Sequence, residues 1–186
     1  AEFSLGFCAA LAERGWLTPH WPTEYGGNAA TSWSHAVLGE ELWSRGEPRG
    51  PQYMNVNWIG PTIMEHGSDE QKALHLPAIS EGRVLWCQGF SEPEAGSDLV
   101  ALRTLAIRDG DDYVVNGAKT WTTLAQYADW IFCLVRTSTE GKKQQGISFL
   151  LIDMKTPGIS VQPIVTIDGS AEINQDKLID EILIWP

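Results

Sequence analysis

Residues 86–98, "WCQGFSEPEAGSD", change character halfway along the stretch. The first part, from Trp86 to Phe90, is apolar and is typical of a buried strand. The second part, residues 91–98, holds two Glu, a Pro and a Gly-Ser-Asp ending, which indicates a polar loop. Helical patterns precede this stretch and strand-like patterns follow it. Because helices come first and strands later, the sequence predicts an α+β fold and not an alternating βαβ fold.

Start and stop signals of helices occur before about residue 84. The pattern "EFSLGFCAALAERG" predicts a helix that ends at Gly15. Thr31 or Ser32 is a suitable N-cap for a second helix that runs to about Ser44. The segment between these helices, "GWLTPHWPTEYGGNAATS", contains two Pro and a Gly-Gly, so we expect a structured loop there.

A third helix has the clearest start signal, in "GSDEQKALHLPAIS". Ser68 and Gln71 have the spacing of a capping box. The acidic pair that follows Ser68 lies at the positive end of the helix dipole, where negative charge is favourable. We expect one apolar face on this helix, formed by Ala73, Leu74, Leu76 and Ile79.

Strand-like patterns fill the chain after residue 84. The segment "TLAIRDGDDYVVNGAKTWTT" predicts three strands separated by turns at Asp109-Gly110 and at Asn116-Gly117. Three further strands are predicted in "DWIFCLVRT", "QGISFLLIDM" and "GISVQPIV". We therefore predict an N-terminal α-helical domain over residues 1–84, incomplete at its start, and a mostly antiparallel β-domain over residues 85–186.

Composition and charge exclude several classes of protein. The chain has 186 residues, 43% of them hydrophobic, which is enough for a core. A formal net charge of −11 without a cluster of Lys and Arg predicts no nucleic-acid binding. No apolar run reaches the roughly 18 residues of a membrane span. The three cysteines are far apart in apolar surroundings, so we expect reduced thiols and a cytoplasmic location.

Familiar catalytic and nucleotide-binding motifs are missing from the sequence. It has no Gly-x-Gly-x-x-Gly after a strand, no Walker loop and no Gly-x-Ser-x-Gly elbow. No Cys or His pair has the spacing of zinc ligands, so no metal site is predicted. The four histidines, which we expect at the surface or in caps, are His20, His35, His66 and His75.

Two segments carry candidate binding chemistry. In residues 91–98, backbone N–H groups and the hydroxyls of Ser91 and Ser97 surround a loop that Gly96 is expected to tighten, which suits phosphates or ring heteroatoms. In a strand, Trp121 and Thr123 share one face. An indole beside a hydroxyl suits a flat aromatic ligand the size of a flavin. The alternative is a core tryptophan and a simple turn.

The motifs together resemble the acyl-CoA dehydrogenase family, in its N-terminal helical and middle β-domain regions. The resemblance rests on "QGFSEPEAGSDLVALRT" and "YVVNGAKTWTTLAQYADW", and upstream on "GWLTPHWPTEYGG" and "GPTIMEHGSDEQKALHLPAISEG". It covers almost the whole chain and implies an acyl-CoA dehydrogenase fold truncated before a C-terminal helical domain. The ending "DKLIDEILIWP" departs from the family pattern, in which an aromatic-rich strand ending in Val-Pro is usual.

The resemblance implies an FAD site. Residues implied beside the flavin ring are Gln88, Phe90 and Ser91, with Trp121 over one ring face and Thr123 near flavin N5. Gly96 and Ser97 are implied at the pyrophosphate, and Ser97 also at the acyl-CoA substrate. Glu92 is interpreted as a carboxylate that structures the loop, and Glu94 as exposed to solvent.

The reaction implied by the resemblance is α,β-dehydrogenation of an acyl-CoA thioester, with electron-transfer flavoprotein as the acceptor. The family's base is usually a Glu of the C-terminal domain, so no residue here is predicted as the catalytic base and this piece alone is expected to be poorly active. The full-length form is expected to be a homo- or hetero-tetramer. Two alternatives stay open: an acyl-CoA oxidase or related flavoenzyme, and a non-catalytic structural subunit of a hetero-oligomer.

Overall fold

Helices occupy the first half of the chain and strands the second, which confirms the predicted α+β class. The computed structural model describes residues 2–48, 50, 52–178 and 183–184. Its contacts divide the chain into two units, Ala1–Leu85 and Trp86–Pro186. In the described part of the chain, no helix is both long enough and apolar enough to cross a membrane. No group of three His, Cys, Asp or Glu residues within that part could hold a metal ion.

The helical unit begins with two helices that the sequence predicts. Gly15 follows the first with a positive φ of 65°, as a helix stop requires. The Thr31 hydroxyl accepts a hydrogen bond from the Ser34 N–H at 3.2 Å and caps the second. The helical bounds are α1 Glu2–Glu13, α2 Ser32–Ser44, α3 Gln52–Met54, a π-helical stretch Asn55–Ile59, α4 Gly60–His66 and α5 Asp69–Ser80, with a 3-10 turn at Thr23–Tyr25.

The loop between α1 and α2 is held by a buried tryptophan. Trp21 is almost fully buried, and its indole Nε1 donates to the carbonyl of Val56 at 3.0 Å. A Cβ on Gly27 would lie 2.0 Å from the carbonyl oxygen of Trp21, so only glycine fits there. The prediction of a structured loop is therefore confirmed. The helical segment that carries Val56 was not predicted from the sequence.

The capping box of α5 is confirmed. The Ser68 hydroxyl accepts from the Gln71 N–H at 3.2 Å, and Gln71 Oε1 accepts from the Ser68 N–H at 2.9 Å. Both N–H groups lie in the first turn, where a helix has no internal acceptors. The cap therefore satisfies two donors with two residues.

The apolar face predicted for α5 is partly wrong. Leu76 and Ile79 are buried, but Ala73 and Leu74 are exposed. His75 takes part in the buried face, which contradicts the expectation that it lies at the surface or in a cap, and burial lowers its pKa. The helix is rotated relative to the prediction because its contacts, and not its apolar composition alone, decide which stripe faces inward.

Replacing Ser68 by alanine is expected to lower the free energy of unfolding by about 1 kcal/mol, because the Gln71 N–H loses its acceptor. Urea unfolding followed by tryptophan fluorescence measures the change. Ser44→Ala is the matched control, since the Ser44 hydroxyl donates to the Glu41 carbonyl at the C-terminal end of α2 and is not an N-cap. Equal losses in both variants would contradict the capping role.

The second unit contains the strands. Strands β1 and β2 pair with β4 in parallel, and the other strand pairs are antiparallel, as the prediction of a mostly antiparallel sheet requires. In spatial order the strands run β1-β4-β2-β3-β7-β6, with β5 on β4 and β8 on β3. Their bounds are β1 Trp86–Gly89, β2 Leu105–Asp109, β3 Asp112–Thr123, β4 Trp130–Arg136, β5 Ile147–Asp153, β6 Ile159–Ile164, β7 Ile173–Leu178 and β8 Leu183–Ile184. Of the divergent ending, residues 179–182 and 185–186 lie outside the described residues.

The turn predicted at Asn116-Gly117 is wrong, because β3 runs through it without a break. At this point the strand changes partner: Asn116 pairs with Leu105 of β2, and Gly117 pairs with Leu178 of β7. A Cβ on Gly117 would lie 2.3 Å from the Thr104 hydroxyl oxygen. The glycine therefore serves a close approach between chain segments and not a reversal of direction.

A compact apolar cluster supports the sheet from one side. Cys87 and Cys133 belong to it as free, fully buried thiols, and burial raises the pKa of Cys133 to about 12. Such thiols act as small core side chains and not as nucleophiles. The cluster consists of Cys87, Ala106, Val115, Ala125, Ile131, Cys133, Val135, Leu150, Ile152 and Leu178.

Candidate functional site

The loop after β1 closes through backbone hydrogen bonds. The Glu92 N–H donates to the Ala95 carbonyl at 2.8 Å, and the Ala95 N–H donates to the Glu92 carbonyl at 3.1 Å. Gly96 has no positive φ, and apart from its two chain neighbours no described residue has an atom within 4 Å of the place where its Cβ would be. The expectation that Gly96 tightens the loop is therefore wrong. The glycine leaves open space beside the loop.

The Glu92 carboxylate anchors this loop from inside. It accepts the backbone N–H of Arg103 at 2.6 Å and that of Thr104 at 2.9 Å, and it receives a third bond from the Lys119 ammonium at 2.8 Å. Burial alone would raise the pKa of Glu92, but the bonds from Lys119, Thr104 and Arg103 outweigh it and lower that pKa below its usual value. Glu92 is thus a charged, structural carboxylate, as the sequence indicated.

Lys119 is a buried cation that joins three segments of chain. Its side chain is fully buried. Besides Glu92, its ammonium donates to the Leu134 carbonyl at 2.7 Å and to the Phe90 carbonyl at 3.3 Å. An ammonium has three donors, and all three have an acceptor here. No pattern in the sequence indicates a role for Lys119, although it lies in the quoted motif "YVVNGAKTWTTLAQYADW".

Trp121 lies at a β-bulge near the end of β3. The ladder with β7 passes from Thr120 directly to Thr122, so Trp121 is the extra residue. Its φ is 61°, a strained value for a bulky side chain, and its side chain is 62% exposed. Thr122 is buried and Thr123 is exposed. The alternative of a core tryptophan is therefore excluded, and Trp121 and Thr123 are both exposed.

The same bulge explains why the alternation of residues along β3 does not predict a buried Lys119. Strict alternation would put Lys119 and Trp121 on one face of the strand, since residues i and i+2 share a side. The extra residue reverses the alternation, so Lys119 is buried while Trp121 is exposed. The sequence signal for the burial of Lys119 is its position two residues before an aromatic residue. This signal can be interpreted only when the bulge at Trp121 is known.

The structure brings the start of the loop and the bulged segment together. The Ser91 carbonyl accepts the Thr120 N–H at 2.9 Å. The Phe90 ring, half-buried, packs edge-on against Phe132 with ring centroids 5.4 Å apart. Gln88 is half-buried on β1. The first three predicted site residues therefore lie on one stretch that is bonded to the segment of Trp121.

The other predicted site residues are at the surface. Gly96 and Ser97 are exposed in the loop, and no hydrogen bond of the described residues joins them to Trp121 or Thr123. Glu94 is also exposed and forms a surface ion pair with Arg103 at 2.8 Å, as expected for a solvent-facing residue. The loop and the bulge thus offer two separate sets of exposed polar groups.

These residues fit a flavin in chemical character. The exposed indole of Trp121 gives a flat apolar surface, and the adjacent Thr123 supplies a hydroxyl for a ring heteroatom. The open space at Gly96 leaves room for a group that approaches the backbone, and Ser97 adds a hydroxyl suited to a phosphate.

Family models match both units of the chain. The model "Acyl-CoA dehydrogenase, N-terminal domain" matches residues 1–83, and the model "Acyl-CoA dehydrogenase, middle domain" matches residues 87–179. The curated relative "Acyl-CoA dehydrogenase FadE26" of Mycobacterium tuberculosis is 44% identical over 164 residues, which is 87% of this chain and 40% of that protein. The chain thus spans less than half the length of this relative.

Solved structures of similar proteins have the same fold. The ChsE4-ChsE5 complex from Mycobacterium tuberculosis matches with a TM-score of 0.88 and 39% identity, over 97% of this chain and 46% of the matched one. The "Tcur3481-Tcur3483 steroid ACAD" matches with a TM-score of 0.88 and 34% identity, over 100% and 49%. A glutaryl-CoA dehydrogenase from Mycobacterium smegmatis, in complex with FADH2, matches with a TM-score of 0.78 and 26% identity, over 97% and 46%. The chain belongs to the acyl-CoA dehydrogenase family.

Proposed function

We propose that the chain forms the flavin- and acyl-CoA-binding part of an FAD-dependent acyl-CoA dehydrogenase. The observation that carries the proposal is the strained, exposed Trp121, held at a bulge beside the Ser91–Thr120 hydrogen bond. Strain in a backbone persists where the surroundings impose it, and such sites are common at ligand-binding positions. A tryptophan that is largely exposed at such a position is explained by a flat ligand that packs on its indole.

The proposal gives each predicted residue a part. Trp121 would pack on one face of the flavin ring, and the Thr123 hydroxyl would donate to a ring nitrogen. FAD, when bound, would accept the hydride that leaves the β-carbon of an acyl-CoA thioester. The residues proposed beside the ring are Gln88, Phe90 and Ser91, and those proposed at the phosphates are Gly96 and Ser97, with Ser97 also near acyl-CoA.

In this proposal, neither glutamate of the loop after β1 acts as the catalytic base. Glu92 is held by three donors and Glu94 by Arg103 at the surface, so neither carboxylate is proposed as the base that removes the α-proton. That base is proposed to come from outside this chain. We propose electron-transfer flavoprotein as the electron acceptor and a cytoplasmic location. Because one similar solved structure is called a steroid ACAD, we propose to test ring-bearing acyl groups first as substrates.

A second candidate is a subunit that contributes architecture to a hetero-oligomer. The ChsE4-ChsE5 structure is described as a complex, which favours assembly from unlike chains. The two candidates differ in chemistry: a catalytic chain binds FAD and is reduced by an acyl-CoA, and a purely structural subunit does neither. An oxidase would differ from a dehydrogenase by consuming oxygen during turnover.

Titration with FAD, followed by flavin fluorescence, tests the proposal. We expect the wild-type chain to bind FAD, and Trp121→Ala to bind it about fivefold more weakly, because stacking on one aromatic ring contributes about 1 kcal/mol. Trp33→Ala is the matched control, since Trp33 is an exposed tryptophan of the helical unit. No binding by the wild-type chain, or equal affinity of both variants, would contradict the proposal.

A further inference from the structure

We propose that the buried Glu92–Lys119 pair is a positioning element for the flavin site, which rests on the function proposed above. The pair holds the backbone of residues 88–91 against the bulged segment, residues 120–123. These two segments carry five of the seven residues proposed to contact FAD. The pair itself touches neither the ligand nor the open face, because both side chains are buried.

The Lys119 ammonium joins the first segment to β4. Lys119 donates to the Phe90 carbonyl, which lies within the first segment, and to the Leu134 carbonyl on β4. Its third bond goes to Glu92, directly after Ser91. The Lys119 ammonium therefore binds one carbonyl of the first segment and the side chain of the residue directly after that segment. Lys119 is itself the residue directly before the second segment.

Hydrogen bonds of its side chain and of its backbone hold Glu92 in place. Its carboxylate accepts the N–H groups of Arg103 and Thr104, and its backbone exchanges two bonds with Ala95. These bonds fix the position of the Glu92 carboxylate, so it cannot shift together with Lys119. Lys119 is held in turn, so the distance between the two segments is set by bonds in the interior and not by surface loops.

The buried pair lies close in sequence to the strained tryptophan, because Lys119 is two residues before Trp121. Thr120 follows Lys119 and donates its N–H to the Ser91 carbonyl, and Trp121 comes next with its positive φ. An unfavourable φ needs surrounding contacts that exclude the relaxed conformation. The bonds of the Lys119 ammonium and the Thr120–Ser91 bond supply such contacts in the two residues that precede Trp121.

The energetics of buried ion pairs also favour a positioning role for Glu92 and Lys119. A buried ion pair can often be replaced by well-packed apolar side chains without loss of stability. Stability therefore does not by itself explain two buried charges at this point in the core. The bond from Lys119 to the Phe90 carbonyl explains them, because an apolar side chain at position 119 could fill the space but could not donate a hydrogen bond to that carbonyl.

Three variants separate positioning from stability: Lys119→Met, Glu92→Gln and the double variant. We expect the double variant to recover most of the unfolding free energy that Lys119→Met loses, because no unpaired charge remains buried. We expect its FAD affinity to stay about tenfold below that of the wild-type chain, since the Phe90 carbonyl still lacks its donor. Recovery of both stability and affinity would overturn the proposal.

Glu94→Gln is the matched control. It removes a carboxylate two residues away in the same loop, but from an exposed ion pair with Arg103. We expect it to leave both FAD affinity and the free energy of unfolding unchanged. A loss of FAD affinity equal to that of Glu92→Gln would mean that loop charge, and not the buried pair, controls the site, and would overturn the proposal.

A second measurement decides the inference even without flavin. The Thr120 amide donates to the Ser91 carbonyl, so its hydrogen exchange reports directly on the contact between the two segments. We expect about tenfold faster exchange at Thr120 in the double variant than in the wild-type chain. Unchanged exchange would overturn the positioning role. Failure of the wild-type chain to bind FAD would instead count against the proposed function alone.

Discussion

Lys119→Met is expected to lower the free energy of unfolding by about 3–5 kcal/mol at pH 7. Methionine keeps most of the volume of the side chain but removes the ammonium. The Glu92 carboxylate is then buried without a countercharge, and the Phe90 and Leu134 carbonyls each lose a donor. Removing one partner of a buried pair costs more than the pair contributes, because the remaining charge stays out of water.

The loss of unfolding free energy in Lys119→Met should depend on pH. The pKa of Glu92 in the folded chain is lowered, so its stabilising contribution is present above its unfolded pKa and is lost as the pH falls through the folded value. The deficit of Lys119→Met should therefore be full at pH 7 and become smaller below about pH 4, where protonated Glu92 no longer needs a countercharge.

Urea unfolding at pH 7 and at low pH measures both effects. Glu94→Gln is again the control, because an exposed ion pair such as Glu94–Arg103 contributes about 0–1 kcal/mol. A loss below about 1 kcal/mol for Lys119→Met would show that the interior relaxes around Glu92, and the buried pair would then not organise the loop.

Asp176→Val is expected to have the opposite effect, a gain of about 3 kcal/mol in the free energy of unfolding at pH 7.5. Asp176 is fully buried on β7, and neither carboxylate oxygen has a hydrogen-bond partner among the described residues. Burial raises the pKa of Asp176 to about 6. The neighbouring Thr122 hydroxyl offsets this only in part, since it lies close without forming a full hydrogen bond.

The gain should depend on pH because the folded pKa of Asp176 lies above its usual value of 3.8. Between these two values the unfolded chain releases the proton first, so the stability of the wild-type chain falls as the pH rises. The charge-dependent part of the gain should therefore appear between about pH 4 and pH 6 and be absent below about pH 4.

Urea unfolding across this pH range tests the prediction. Asp111→Asn is the matched control, since it removes an exposed aspartate beside the β2–β3 turn and should change little. A gain for Asp176→Val that is the same at pH 4 and pH 7.5 would mean that better apolar packing, and not the removal of a buried charge, is its cause.

Local chemistry made much of the helical unit predictable. The caps at Thr31 and Ser68 involve side chains and N–H groups three residues apart, so neighbours in the sequence are sufficient to recognise them. The inward face of α5 could not be predicted in the same way. Leu74 is exposed and His75 is buried, because that choice depends on contacts with distant parts of the unit.

In the candidate site, too, some features follow from neighbouring residues and others depend on tertiary contacts. The sequence alone determined the strand and loop of residues 86–98, the structural role of Glu92 and the family. Only the tertiary structure decided that Asn116-Gly117 lies within β3, where the strand changes partners, and that a bulge turns Trp121 outward and Lys119 inward. Partner changes and bulges arise from pairing with strands remote in sequence, so the alternation of residues along one strand cannot contain them.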